Sequence, residues 1–514
     1  MRFKLRALGI QAGGRPIVVL DDESAGRLGI YSLDRVEVRH GDRRLIAIAN
    51  IASDFPADTV GVYDEVRRAL GTETGAEVEV SVAEKPESLR FIQEKILGRR
   101  LDAAEIRMIV EDVVERHLSD VELTSFVTAL YIRGTSMDEA EALSRAMVET
   151  GGSLKLGKGP VFDKHSIGGV PGDKTSIIVV PIVAAAGYVI PKTSSRAVTS
   201  PAGTADRVEA LCPVELSAEQ IRLVVERTNA CLAWGGALDL APADDLFIQV
   251  EYPLSIDPLL LPSIMSKKKA IGAEYVVIDI PAGRGAKVKT IGEAHYLAND
   301  FLELGGRLGM QVECAITYGE QPVGCAVGPA LEAKEALETL MGGGPPDLRE
   351  KALTLAGILL EMAGHEEGRQ AAGELLRAGK AERKLREIIA AQGGDPEVKP
   401  DSIRVGNHVE RFVADRSGKV LWINNGDIAQ VARAAGAPKD KGAGLLLKAK
   451  IGDEVTKGAA LMEIYAERAQ KLEEAFATAA ELQPIGLERS PDQMMLIDRI
   501  PAKAVHEKTF LIER

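Results

Sequence analysis

A multidomain α/β protein is the fold class this sequence predicts, and three observations carry it. At 514 residues the chain is too long for one hydrophobic core. Its first part runs in short β-branched stretches, and the next shows helical periodicity behind repeated capping boxes. The centre then alternates strand, helix, strand. The predicted architecture is a small β-rich, barrel-like N-terminal domain, a helical lobe with a mixed α/β sheet domain, and a C-terminal α+β domain.

Residues 1–84 contain RPIVVL, DRVEVRH, RRLIAIANI and AEVEVSV, separated by Gly/Asp turns, with DDESAGRLGI as a short helix among them. Residues 85–161 form the helical lobe. Asp102 with Glu105, Ser119 with Glu122 and Ser136 with Glu139 each place a capping residue three positions before a glutamate. Ile106, Ile109, Val110, Val113 and Val114 then recur at helical spacing. Residues 212–268, which include SAEQIRLVVERTNACLA and the first part of LPSIMSKKKAIGA, are expected to join this lobe. Residues 162–211 and 269–405 make the α/β, phosphate-binding domain, with AEYVVIDIP and MQVECAITY as strands around the helix IGEAHYLANDFLELGGRLG. Residues 406–514 mix short strands, a helix and the hairpin-like KAKIGDEVTKGAALMEIYAE. A cleft is expected between the helical lobe and the sheet.

Composition narrows the function. The net charge of −13 argues against nucleic acid or an anionic membrane as partner, so any anion site must be local. No apolar run reaches the roughly 18 residues of a membrane span. Cys212, Cys231, Cys314 and Cys325 form no CxxC pair and read as reduced thiols of a cytoplasmic protein, with no metal site.

Two loops carry the chemistry. In KHSIGGVPGDKTS the glycines let backbone amides approach a ligand, Lys164 supplies charge, and Ser166, Thr175 and Ser176 supply hydroxyls. The apolar segment after Thr175 is expected to be a helix whose N-terminus points at a bound anion. A Walker A loop fits poorly, because Asp173 stands where its second glycine belongs. SSRAVTSPAGTADRVE repeats the pattern, with Arg196 as fixed charge and Ser194, Ser195, Thr199, Ser200 and Thr204 as donors. Two such loops suit two anionic groups, or one anion with a sugar beside it.

The Lys-His-Ser-x-Gly-Gly loop, followed by Ser-x-Arg-x-x-x-x-x-x-Gly-Thr-x-Asp-x-x-Glu, resembles the thymidine/pyrimidine nucleoside phosphorylase family. SIMSKKKA and VVIDIPAGRGAKV fit the same family, and the likeness spans about residues 86–514. The added N-terminal unit and the wording SSRAVTSPAGTAD look more like its nucleoside 5′-monophosphate branch. That resemblance implies phosphorolysis of AMP, with CMP and UMP as further candidates, to free base and ribose 1,5-bisphosphate. It implies inorganic phosphate as co-substrate, no cofactor, and a homodimer or larger homo-oligomer. Lys164, Ser166, Ser176 and Ser194 fall on phosphate-contacting positions, together with Thr204. Gly169, Ser195, Arg196, Ala197, Val198, Thr199, Ser200, Thr204, Ser263 and Lys287 fall on nucleotide-contacting ones. Ser263 and Lys267 also match the Ser and Lys that hold the base in pyrimidine members.

Asp257, in EYPLSIDPLL, falls on that branch's proton donor, although Asp before Pro258 is also a common turn. A departing purine needs a proton, and a carboxylic acid with a raised pKa supplies one. Pyrimidine members usually carry an arginine just upstream, and FIQVEYPLSID has none. The segment from Asp257 to Ser263 is a residue or two shorter than that branch leads one to expect, which bears on the positions of Ser263 and Lys287. His165 either assists phosphate or ribose or braces its loop. The C-terminal hairpin resembles the half-barrel of lipoyl and biotinyl domains, but no Met-Lys-Met or Asp-Lys-Ala attachment turn precedes it, so a structural hammerhead-like unit is expected. Alternatives are a pyrimidine nucleoside phosphorylase with a fused domain and an anthranilate-type phosphoribosyltransferase. Residues 1–84 could also serve as a docking or assembly module.

Overall fold

The structure is a computed structural model that describes residues 1–197, 200–238 and 240–488. Six strands close the N-terminal barrel: Arg2–Ala7, Ile17–Asp21, Arg35–His40, Arg43–Ala52, Thr59–Val62 and Glu77–Val82. Alternation fills it, because residues such as Phe3, Leu5, Val36, Val38, Val78 and Val80 all turn inward. Arg15 meets Asp120 at 2.5 Å, and Arg35 pairs with Glu122, which docks the barrel against the helical lobe.

The helical lobe is built from Ser88–Ile96, Ala103–Val114, Asp120–Arg133 and Met137–Glu149. All three capping boxes form reciprocally, satisfying orphan amides at the helix starts. Glu139 does more than cap. Its buried carboxylate also accepts from Lys95 Nζ at 2.7 Å and the Leu101 amide at 3.0 Å, tying the first helix to the fourth.

In the central domain, strands Gln311–Tyr318, Ala273–Ala282 and Val161–Ser166 pair side by side in that order. Strands Ile190–Ser194 and Ala230–Trp234 form a second pair, linked to the first sheet by a bridge between Val161 and Val189. Every one of these pairings is parallel, where the sequence reading left room for a mixed sheet. Helix Thr175–Ala185 is buried from Thr175 to Ala184 and forms the hub of the domain, which is why its sequence is apolar all round.

The segment expected to complete the helical lobe divides. Leu216, Ile221, Val224 and Cys231 pack with Val161, Val189 and Ile278 in the sheet core, because Ala230–Trp234 is a strand of that sheet. Ala243, Leu246, Phe247 and Leu259, from and just beyond helix Pro242–Leu254, join the lobe beside Phe126. Helix Leu260–Ala270 follows and packs on both units.

The C-terminal part pairs Gly444–Leu447, Ala460–Ala466 and His408–Val413 with Ala326–Val327 of the preceding domain, so its sheet crosses the domain boundary. A second small sheet joins Glu454–Val455, Gly418–Ile423 and Ile485–Leu487. No helix among the described residues is long and apolar enough to cross a membrane.

Candidate active site

Parallel pairing sends the C-terminal ends of Val161–Ser166 and Ile190–Ser194 to the same side of the sheet. The two Gly- and Ser-rich loops leave from those ends, where open parallel sheets form binding crevices. They enclose a cleft of about 490 Å³.

Lys164, Ser166, Gly169 and Ser176 of the first loop line it. Gly169 has φ +89°, and a Cβ there would meet the Lys287 backbone nitrogen at 2.5 Å, so this position requires glycine on two counts. Lys164 is buried and donates to Thr175 Oγ1 at 2.8 Å. Asp173 Oδ1 accepts from the Thr175 hydroxyl at 2.5 Å and from its amide at 3.2 Å. The start of the hub helix, expected to face the anion directly, is therefore shared with the protein's own carboxylate. Burial alone would raise the Asp173 pKa, but Lys164, Lys351, the Thr175 hydroxyl and Arg207 outweigh it and hold the group well below the ordinary carboxylate range. Burial lowers Lys164, and Asp173 and Asp279 only partly offset this.

Ser194, Ser195, Ser200 and Thr204 of the second loop also line the cleft. Val198 and Thr199 lie outside the described residues. Arg196 is not among the residues that line the cleft, and its guanidinium is engaged by carboxylates. It forms paired bonds to Glu209 at 2.9 and 2.7 Å, reaches Glu215 at 2.9 Å, and lies 5.1 Å from the Trp234 ring centre. The Ala197 amide points to Asp206 Oδ2 at 2.7 Å, as does that of Gly203 at 2.9 Å. Asp206 thus folds the loop, and Lys441 from the C-terminal part braces it from behind at 3.1 Å.

Arg207 holds the two loops together. Its guanidinium donates to the Asp173 carbonyl at 2.7 Å and the Ala202 carbonyl at 2.9 Å, and it pairs with buried Glu332 at 2.5 Å. The sequence reading passed over Arg207, as it did Lys192, Thr193, Trp234, Asp245 and Lys268 in the cleft wall. A signal existed for Lys192, a lysine that follows the apolar Ile190 and Pro191 in the strand that feeds the Ser-rich loop.

The helical-lobe side carries a chain of charged groups. Lys267, which lines the cleft, meets the buried Asp244 at 2.5 Å. Burial lowers Lys267, but Asp244 outweighs it and raises the group overall. Asp257 Oδ2 accepts from Lys287 Nζ at 2.6 Å, and both side chains are nearly half exposed. Asp257, Ser263 and Lys287 are not among the residues lining the cleft, although Lys287 presses on Gly169. Between these pairs sits Glu251, buried and pushed up to about 7 by burial and then by Asp257. His165 lies at the other wall, its imidazole driven well below its ordinary value by burial and then by Lys268, Lys192, Lys164 and Lys267.

The comparisons agree along most of the chain. The model for the glycosyl transferase family α/β domain matches residues 158–382, and that for the family's helical bundle domain matches residues 89–151. The pyrimidine nucleoside phosphorylase C-terminal domain matches residues 420–486. An AMP phosphorylase of Thermofilum pendens is 48% identical over 500 residues, covering 97% of this chain and 98% of that protein. One from Thermococcus sibiricus is 50% identical over 494 residues, covering 95% and 98%. Among solved structures, anthranilate phosphoribosyltransferase from Thermus thermophilus matches with a TM-score of 0.51 and 22% identity, covering 59% of this chain and 98% of that one, a likeness of fold alone.

Proposed function

The chain belongs to the AMP phosphorylase family, and from that membership we infer that it cleaves AMP with inorganic phosphate. One observation carries the reading: Arg207 staples two hydroxyl-rich loops into a single cleft walled by Lys164, Lys192, Lys267 and Lys268. Such a cleft suits two phosphate groups held on one ribose.

In this reading Lys164, Ser166, Ser176, Ser194 and Thr204 hold the attacking phosphate near C1′, while Gly169 and the run Ser195–Ser200 hold the nucleotide. Arg196 and Ala197 shape that run from behind, as their bonds to Glu209 and Asp206 indicate. A phosphate oxygen bonds to C1′ as the C1′–N9 bond breaks, and N9 keeps the bonding pair. The products are adenine and ribose 1,5-bisphosphate, and the base takes up one proton. Asp257 is the proposed donor of that proton to the purine, with Ser263, Lys267 and Lys287 as its neighbours on the base side. Lys287 holds Asp257 in the present arrangement, so delivery requires this pair to separate as the lobes close on substrate.

No cofactor or metal is invoked, since lysine charge meets both phosphates. The chain is proposed to work in the cytoplasm as a homo-oligomer. The exposed Leu97, Val121, Tyr131 and Ile132 on neighbouring lobe helices support an assembly surface of that kind.

The test is release of free base. With phosphate present, adenine should leave AMP faster than adenosine, and EDTA should leave the rate unchanged. Faster turnover of adenosine or thymidine would overturn the nucleotide reading, and loss of activity in EDTA would favour a metal-dependent transferase.

A further inference from the structure

The second loop is held from behind the cleft as well as across it. Helix Thr204–Val208 follows the loop and sets two buried charges side by side, Asp206 and Arg207. Arg207 pairs with Glu332 at 2.5 Å, on helix Pro329–Leu340 of the central domain. Asp206 divides its carboxylate between two tasks. Oδ2 accepts from the Ala197 and Gly203 amides at 2.7 and 2.9 Å, which draws the two ends of the loop together. Those ends touch, since a Cβ on Gly203 would meet the Ala197 nitrogen at 2.6 Å. Oδ1 faces Lys441 Nζ of the C-terminal part at 3.1 Å and Arg196 Nη1 at 3.4 Å. Lys441 Nζ also meets Glu209 at 2.8 Å. The Lys441 backbone is docked on the start of the helix that carries Glu332. Its carbonyl accepts from the Ala330 amide at 3.1 Å, and nearby a Cβ on Gly328 would meet the Ala443 carbonyl at 2.3 Å.

We propose that Lys441 is a positioning residue for nucleotide binding, holding the second loop through Asp206 in the shape that receives AMP. Lys441 is not among the residues lining the cleft, so its effect passes through the carboxylates it meets. Asp206 is 3% exposed and has lost most of its hydration, which the two amides at Oδ2 replace on one side only. The Lys441 ammonium completes the other side. Without it, Oδ1 would keep Arg196 Nη1, a nitrogen already bonded to Glu209 at 2.9 Å. Asp206 would then draw Arg196 off Glu209 or admit water, and either change shifts the loop ends that Asp206 holds. A loop already fixed in its ligand-bound shape saves the ordering cost on binding, so loosening it lowers affinity. Lys164 and Lys267 keep their own carboxylates in either case, and the groups around the reacting centre stay in place. The C-terminal part thus contributes to nucleotide recognition from outside the cleft.

The inference rests on the phosphorolysis reading for AMP as the ligand of this loop. Two variants of the full chain test it: Lys441→Met, which keeps the length and removes the charge, and Lys441→Arg, which restores a cation. The Lys441 side chain is 41% exposed, so neither exchange opens the core. Adenine release is followed at varied AMP and saturating phosphate, and AMP binding is measured by calorimetry without phosphate. Lys441→Met should raise both KM and Kd for AMP roughly five- to tenfold, the scale of a charge-assisted bond from a partly exposed lysine to a buried carboxylate. kcat should stay within about twofold, because the lost interaction serves ground state and transition state alike. Lys441→Arg should recover most of the affinity. Unchanged KM and Kd in Lys441→Met, whatever its thermal midpoint, would reduce Lys441 to a fold-stabilising residue and overturn the proposal. So would a fall in kcat with AMP affinity intact, or a Lys441→Arg variant that binds no better than Lys441→Met. The two readings fail separately. A wild type that binds AMP but releases no adenine refutes the phosphorolysis, and calorimetry alone then decides the role of Lys441. Normal adenine release with a wild-type-like Lys441→Met keeps the phosphorolysis and ends this inference, while a wild type that binds no AMP ends both.

Discussion

Glu251 gives the sharpest test of the electrostatics on the helical-lobe side. It sits in the last turn of helix Pro242–Leu254, is 6% exposed, and accepts from the Leu259 amide at 3.2 Å. Burial, and then the nearby Asp257 and Asp244, raise its carboxyl from 4.5 to about 7 against the pull of the Leu259 amide and Lys287. The folded protein thus holds a proton at pH values where the unfolded chain has released it. Stability is then lost as pH climbs through the window from 4.5 to about 7. At 1.36 kcal/mol per tenfold change, the full effect is about 3 kcal/mol. Glu251→Gln keeps the shape and the acceptor for Leu259 but cannot ionise. The variant should match the wild type near pH 5 and exceed its stability by up to about 3 kcal/mol at pH 8. Thermal midpoints of both proteins at several pH values test this, since subtracting one curve from the other cancels every other titrating group. A difference that does not change with pH refutes the assignment.

Two further predictions concern the reaction. Asp257→Asn should cut adenine release by roughly 10²–10⁴ while leaving AMP affinity nearly intact, as expected for a general acid; near-wild-type turnover would leave Asp257 as a turn residue beside Pro258. Gly169→Ala should weaken AMP binding and lower the unfolding midpoint, because the new methyl collides with the Lys287 backbone at a φ of +89°; unchanged binding and stability would remove Gly169 from the ligand wall.

The parts that were legible in the sequence were local. Each capping box lies within four residues, so Asp102, Ser119 and Ser136 could be assigned as helix starts without knowing what they pack against. The strand Arg2–Ala7 was missed because its outward positions are Arg2, Lys4 and Arg6, leaving only Phe3 and Leu5 as an apolar signal. Thr59–Val62 is four residues long with a glycine inside, too short for periodicity to register. At the site, both loops were visible because glycine and hydroxyl residues cluster in the chain. Their electrostatics were not, since charge pairing joins distant segments: Lys268 reaches Asp163 across 105 positions, and Lys351 reaches Asp173 across 178. Arg196 also has partners that its loop alone does not reveal. It has the residue type and position of an anion clamp, yet Glu209 and Glu215, just downstream, claim its guanidinium.

These long-range pairs also explain how a chain of net charge −13 keeps a cationic cleft. Each buried ammonium or guanidinium loses hydration, which a carboxylate placed behind it offsets only if the geometry is held firmly. Asp163, Asp173 and Asp244 occupy that position for Lys268, Lys164 and Lys267, each from a different stretch of backbone. Removing a backing carboxylate would leave a buried cation unpaired, a loss of about 3–5 kcal/mol, whereas an exposed pair contributes at most about 1 kcal/mol. The cations are therefore fixed before substrate arrives, and little reorganisation is left for the moment when charge builds on phosphate and base. Asp257 and Lys287, nearly half exposed, lie outside this fixed set. They are the pair that can part at low cost, which is what the role proposed for Asp257, moving a proton onto the base, requires.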